Sequence, residues 1–85
     1  MAYRVTANIY SEEAGDYIEH YEGGEFEDYD EAYEFWDNWW PDMEDVRRVT
    51  REDAEEHPGN HYELEIGLWD EDGYDVEFYN EGIAI

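Results

Sequence analysis

Between Asn60 and Asn80 the chain reads NHYELEIGLWDEDGYDVEFYN, two runs that alternate apolar and acidic residues around an acidic turn. Successive side chains on a strand point to opposite faces, so a period of two marks strands with one buried face. The predicted element is a β-hairpin. Tyr62, Leu64, Ile66 and Leu68 fall on one side of its first run, with Glu63 and Glu65 on the other. In the second run Tyr74, Val76 and Phe78 alternate with Asp75 and Glu77. Asp70-Glu71-Asp72-Gly73 has the length and the glycine of a hairpin loop.

The rest of the chain supplies partners for this hairpin. Tyr3 to Tyr10 alternates Tyr3, Val5, Ala7 and Ile9 against Arg4, Thr6, Asn8 and Tyr10, and predicts a first strand. Ser11 to Gly15 reads as a turn. Asp16 to Glu22 fits a second strand with Tyr17 and Tyr21 on one face, broken by Gly23-Gly24. Asp28 to Trp40 predicts a helix. At 100° per residue, Tyr29, Ala32, Tyr33, Phe35, Trp36, Trp39 and Trp40 occupy one arc of about 160°. Asp28 or Asp30 suits its first turn, where the helix dipole favours acids, and Pro41 stops it. Val46 to Thr50 fits a short strand or loop. Thr50 and Asp53 have capping-box spacing for a short helix that His57-Pro58-Gly59 would end. The apolar tail, Gly82 to Ile85, is expected to add strand contacts or to fold over the core. The expected architecture is α+β, a single domain over residues 1–85. A small antiparallel sheet of three to five strands carries an aromatic-rich amphipathic helix on one face, and the opposite face is acidic.

Composition limits what this domain can do. Twenty-seven acids face four arginines and no lysine, for a net charge of −23. That field excludes ordinary attraction to nucleic acid or to anionic lipid. Acidic chains are often disordered, but 16 aromatic residues in patterned segments predict a folded core here. There is no cysteine, so no disulfide framework and no thiolate metal site. The N-terminal MAYRVTANIY lacks the basic-then-apolar form of a signal peptide, and no apolar run has membrane-spanning length. The expected setting is the cytoplasm.

No catalytic constellation stands out. Asp70-Glu71-Asp72-Gly73 echoes a fragment of a calcium loop, but the full ligand spacing is missing and its flanks read as strands, so an acidic turn is the better reading. His20, His57 and His61 have no ligand-like spacing, and Pro58-Gly59 keeps His57 and His61 off a shared helix face. Paired carboxylates are inevitable at this density, and acid–base work would need one of them in a pocket with a raised pKa. Neither an enzyme nor a cofactor is expected.

The acids themselves are the candidate site. Residues 11–45 carry fifteen acids without an arginine or lysine, and the hairpin through Glu81 adds eight. Glu63 and Glu65, Asp75 and Glu77 occupy alternate strand positions, about 6.7 Å apart, a spacing comparable to that of phosphates along a strand. Asp70, Glu71 and Asp72 lie at the turn. Asp30, Glu31, Glu34 and Asp37 lie on the outer face of the helix. Solubility is reached with far less charge than this. Such a surface suits a basic groove built to neutralise phosphates. Tyr10, Tyr17, Tyr21 and Tyr79 are candidate interface anchors.

In its small size, its lack of cysteine and the carboxylates running through SEEAGDYIEHYEGGEFEDYDE and WDEDGYDVEFYNE, the chain resembles the phage-encoded acidic inhibitors that mimic nucleic acid, among them anti-restriction proteins, uracil-DNA glycosylase inhibitors and anti-CRISPR proteins. The resemblance is compositional and assigns no residue roles. It implies a nuclease or CRISPR effector as partner, blocked where it would hold DNA, and a host bacterial cytoplasm as the setting. Two other readings remain open: a small domain from a salt-loving organism, which the missing lysine fits, and an acidic binding or chaperone module for a basic protein.

Overall fold

The computed structural model describes residues 2–84. Ile85, the last residue of the apolar tail, lies outside them. The element order is β1 (Tyr3–Ser11), β2 (Asp16–Phe26), α1 (Tyr29–Asn38), α2 (Met43–Glu56), β3 (Tyr62–Trp69) and β4 (Asp75–Gly82). The four strands form one antiparallel sheet in the order β2-β1-β3-β4. Both helices contribute side chains to the core on the same face of this sheet. The fold is α+β, with aromatic residues concentrated in the first helix.

The core follows the alternation of the two central strands. Val5 pairs with Leu68, Ala7 with Ile66 and Ile9 with Leu64, and all six side chains are buried on the helix side. Ala32 of α1 and Val46 of α2 close over them. Burial of a leucine- or isoleucine-sized side chain contributes about 1.5–3 kcal/mol, so this short list carries much of the stability of a small domain.

β2 continues through Gly23-Gly24 to Phe26 instead of stopping at Glu22. Gly23 is where the rings of α1 come down on the sheet. A Cβ there would lie 2.8 Å from the Val5 carbonyl oxygen and 3.0 Å from the Phe35 ring. Register shifts fall at Ile18 and at Gly23, each an extra residue in β2. The first separates two residues expected to share a face. Tyr21 pairs with Ala7 on the helix side, whereas Tyr17 pairs with Tyr10 on the open side.

α1 starts where expected but ends at Asn38, two residues short of the expected Trp40, because Trp39 is already extended (φ −93°, ψ 139°). The Asp28 side chain accepts from the Asp30 amide at 3.2 Å, and Asp30 and Glu31 occupy the first turn. α2 is longer than the short helix expected after Thr50, and it replaces the strand or loop expected at Val46 to Thr50. The Asp42 side chain caps it, accepting from the Glu44 amide at 3.1 Å and the Asp45 amide at 3.4 Å. Thr50 does not cap a helix. It is buried mid-helix, and its hydroxyl donates to the Val46 carbonyl at 2.7 Å. Arg48 ties together the two turns on either side of it, pairing with Asp45 and, at 3.2 Å, with Glu52.

The β3–β4 hairpin forms as expected, but the faces of β4 are reversed. Val76 is an extra residue between the Trp69–Asp75 and Leu68–Glu77 pairs. As a result Glu77, Tyr79 and Glu81 share a face with Leu68, Ile66 and Leu64, while Phe78 stands opposite Gly67 on the open side. Asp75 and Glu77 therefore do not form a row. β4 is an edge strand, and its helix-side face lies at the margin of the core, where a polar residue with a partner is tolerated. Glu77 has one: the Tyr29 hydroxyl donates to it at 2.8 Å. The tail reaches the core through Ile83, whose amide donates to the Tyr62 carbonyl at 3.0 Å.

The helices sit one after the other along the sheet. α1 meets the Tyr3 end through the Tyr3–Tyr29 ring contact, and α2 meets the Ser11 end through Tyr62, the partner of Ser11, whose hydroxyl donates to Asp53. The molecule is accordingly long and flat, 42 × 23 × 15 Å.

Candidate partner-binding surface

The acids expected to act together fall into three sets. On α1, Asp30, Glu31, Glu34 and Asp37 are all exposed. At 100° per residue, Asp30, Glu34 and Asp37 lie within about 60° of one another, along roughly 10 Å of helix. Glu77 lies on the same side of the sheet but is held by Tyr29, which it pushes above the usual phenol range.

The second set is the tip of the hairpin, where the acids have a structural duty as well. The Asp70 carboxylate accepts from the amides of Asp72 and Tyr74, both at 3.0 Å, and so builds the turn. Gly73, at φ 87°, supplies the left-handed residue. Glu71 and Asp72 are exposed. Asp70 is thus a turn-former, and only its neighbours are free to serve a partner without cost to the fold.

The third set is on the open face of the sheet, which is mixed and not uniformly acidic. Reading across the four strands, the rows are Glu25, Arg4, Trp69, Asp75; then Glu22, Thr6, Gly67, Phe78; then His20, Asn8, Glu65, Asn80; then Tyr17, Tyr10, Glu63, Gly82. Arg4 pairs with Glu22 at 2.5 Å and with Glu25 at 4.0 Å. His20 bridges Asn8 at 2.7 Å and Glu22 at 2.9 Å. His20 first, and then Arg4, hold the Glu22 carboxyl below its ordinary range. This corner, part of a groove of about 530 Å³, is locally compensated. Glu65 lies in the centre; burial, and then the charge of Glu65, push the Tyr17 phenol upward. The Glu65 Oε2 atom is shielded from solvent without a hydrogen-bond partner among the described residues.

Several residues that the sequence singles out take other roles. Tyr21 is no surface anchor: its hydroxyl donates to Asp45 at 2.8 Å under α2, and burial with that bond pushes its pKa far up. Asp45 is in turn held low by Arg48 and then by Tyr21. Tyr17 and Tyr79 are exposed, at 52% and 43%. Among the described ion pairs, Arg48 takes part in two on α2, and none involves Arg47 or Arg51. Further acids line α2, which no single periodic stretch of the sequence marks as one helix. Glu44, Glu52, Glu55 and Glu56 are exposed along it.

The charge therefore surrounds the molecule instead of lining one face. Neither residue 1 nor residue 85 has a charged side chain, so the described residues hold all the charged ones. The net −23 along a 42 Å axis amounts to one charge per about 1.8 Å. Duplex DNA carries one per roughly 1.7 Å.

Among the described residues, no group of three or more His, Asp or Glu side chains is placed to hold a metal ion. A hollow of about 820 Å³ is lined by Tyr10, Asn60, Tyr62 and Ile83 among others. Asn60 there is a clasp: it donates to Ser11 Oγ at 2.8 Å and accepts from the amides of Glu13 and His61 at 2.9 Å. Among the described residues, no helix is long and apolar enough to cross a membrane. No protein-family model, curated protein or solved structure gives a significant match to the chain.

Proposed function

We propose that this protein is a nucleic-acid mimic that inhibits by occupying the basic DNA-binding groove of a partner, a nuclease or a CRISPR effector. The observation that carries the reading is the match in linear charge density, about 1.8 Å per charge against roughly 1.7 Å for duplex DNA. A body 42 Å long corresponds to about 12 base pairs at 3.4 Å per step. Its 23 Å width suits a groove that accepts a duplex. The acids steer it to a basic cleft and pair there with arginine and lysine. Inhibition follows from occupancy, with no chemical step and no cofactor.

The experiment is capture of a bacterial lysate on the immobilised protein at near-physiological salt, with elution by duplex DNA and, separately, by guide RNA. A single basic nuclease or effector released by the nucleic acid supports the reading and names the target. A broad set of basic proteins, all lost at modestly higher salt, overturns it.

A further inference from the structure

The C-terminal end of α1 and the edge strand β4 enclose a cleft of about 230 Å³, lined by Trp36, Asp37, Trp39, Trp40, Ile66 and Tyr79. We infer that this cleft is a receptor for one arginine side chain of a basic protein partner. The identity of the partner rests on the mimic reading above; the cation specificity of the cleft does not.

The walls are aromatic and set in place. The Trp36 indole N–H donates to the Ile66 carbonyl at 3.0 Å, which fixes that ring over β3. Trp39 stacks on Phe35, with centroids 5.8 Å apart and 22° between the planes. Trp40 and Tyr79 meet at 90°, centroids 5.8 Å apart, and form an open corner. Both are partly open to solvent, at 47% and 43% exposure. This amphipathic ring pair stands open to water at the rim of the core. It is well suited to a cation, which is drawn to the negative faces of tryptophan and tyrosine.

The electrostatics point the same way. The lining includes no arginine, lysine or histidine. Asp37 is exposed at the rim, and the Tyr79 hydroxyl donates to Glu81 at 3.4 Å. The last turn of α1 has no basic residue, so the partial negative charge of the helix end is uncompensated there. The Asn38 side chain satisfies the Glu34 carbonyl at 2.8 Å but brings no charge. A cation from outside is the group this site lacks. Guanidinium fits better than ammonium: it is flat enough to stack on a ring, and its fork of donors can reach a carboxylate at the same time.

The test uses the ¹⁵N-labelled protein and three capped tripeptides, Gly-Arg-Gly, Gly-Lys-Gly and Gly-citrulline-Gly, at ~0.15 M salt, where long-range attraction is screened beyond about 8 Å. The indole N–H signals of the four tryptophans report position, and Trp69, on the opposite sheet face, serves as control. The expected result is a saturable shift of Trp36 and Trp40 with Trp69 unmoved. The arginine peptide should bind about tenfold more tightly than its neutral citrulline isostere. Trp40→Ala should abolish the saturable shift, and Asp37→Asn, which keeps every ring, should weaken it about threefold. Equal binding of the citrulline or lysine peptide, or equal shifts at all four indoles, overturns the inference. The two proposals also fail separately. A DNA-displaceable partner that holds Trp40→Ala as tightly as the parent removes the arginine site and leaves the mimic. Arginine-specific binding at the cleft without any DNA-displaceable partner leaves the cation site and removes the mimic.

Discussion

The indole of Trp69 lies across Gly67 on the open face of the sheet. A Cβ on Gly67 would sit 2.9 Å from the Trp69 Nε1, and that same nitrogen donates to the Thr6 hydroxyl at 2.9 Å. The ring cannot move aside without losing this bond. Gly67→Ala is therefore expected to destabilise the fold by about 1–3 kcal/mol, the usual cost of overpacking. A denaturant titration with an unchanged slope and a lower midpoint would bear this out. An alanine variant as stable as the parent would mean that the indole is free to leave.

Stability should fall steeply at alkaline pH. Tyr17, Tyr21 and Tyr62 are pushed above the ordinary phenol value first by burial, and Tyr29 first by its bond to Glu77. Above an ordinary value of about 10, the unfolded chain releases these protons before the folded one does. The unfolded state then binds fewer protons, and unfolding becomes easier as pH rises. The stabilisation is fully present below that value and is lost above it. Tyr62→Phe should cost about 1 kcal/mol near neutral pH through the lost hydrogen bond to Asp53. Its alkaline decline should be shallower than the parent's, as read from urea midpoints between pH 8 and 11.

Added salt should stabilise the protein without being required for folding. Raising salt from 0.1 to 1 M shortens the screening length from about 10 to about 3 Å, which relieves repulsion among 27 acids. The thermal midpoint should rise over this range, starting from a folded state at low salt. A chain that is unfolded below molar salt would instead match the halophilic reading.

Neutralising the α1 acids should weaken partner binding with little effect on folding. Asp30, Glu31, Glu34 and Asp37 are exposed, and the N-cap of α1 is Asp28 rather than any of them. The variant with Asn at the two aspartates and Gln at the two glutamates should keep its melting midpoint to within a few degrees. Each lost pairing with a partner's basic residue should make binding less salt-dependent, so the slope of log affinity against log salt should flatten. Glu71→Gln with Asp72→Asn should act likewise. Asp70→Ala, by contrast, should lower stability, because the Asp70 carboxylate builds the turn. An unchanged slope in the α1 variant would exclude that helix face from the interface.

The features legible in the residues were local. The alternation in β1 and β3 fixed the buried face of the central strands. Asp28 set the start of α1, and Asp70 to Gly73 set the hairpin turn. Each depends on residues a few positions apart, and each is written in residue type. The run of α2 was hidden because its apolar stripe is thin, only Met43, Val46, Val49 and Ala54 among acids and arginines. It becomes a helix because Asp42 caps it and the sheet covers Val46.

Tertiary structure alone decided which way the edge strands face. The extra residues at Ile18, Gly23 and Val76 break the period of two. That places Tyr17 and Tyr21 on opposite sides, as it does Asp75 and Glu77, and it brings Tyr79 against Trp40. A bulge adds one residue, and a shift of one residue turns over every side chain that follows. Where a bulge falls depends on the strand alongside, from which residues far away in sequence must be brought into register.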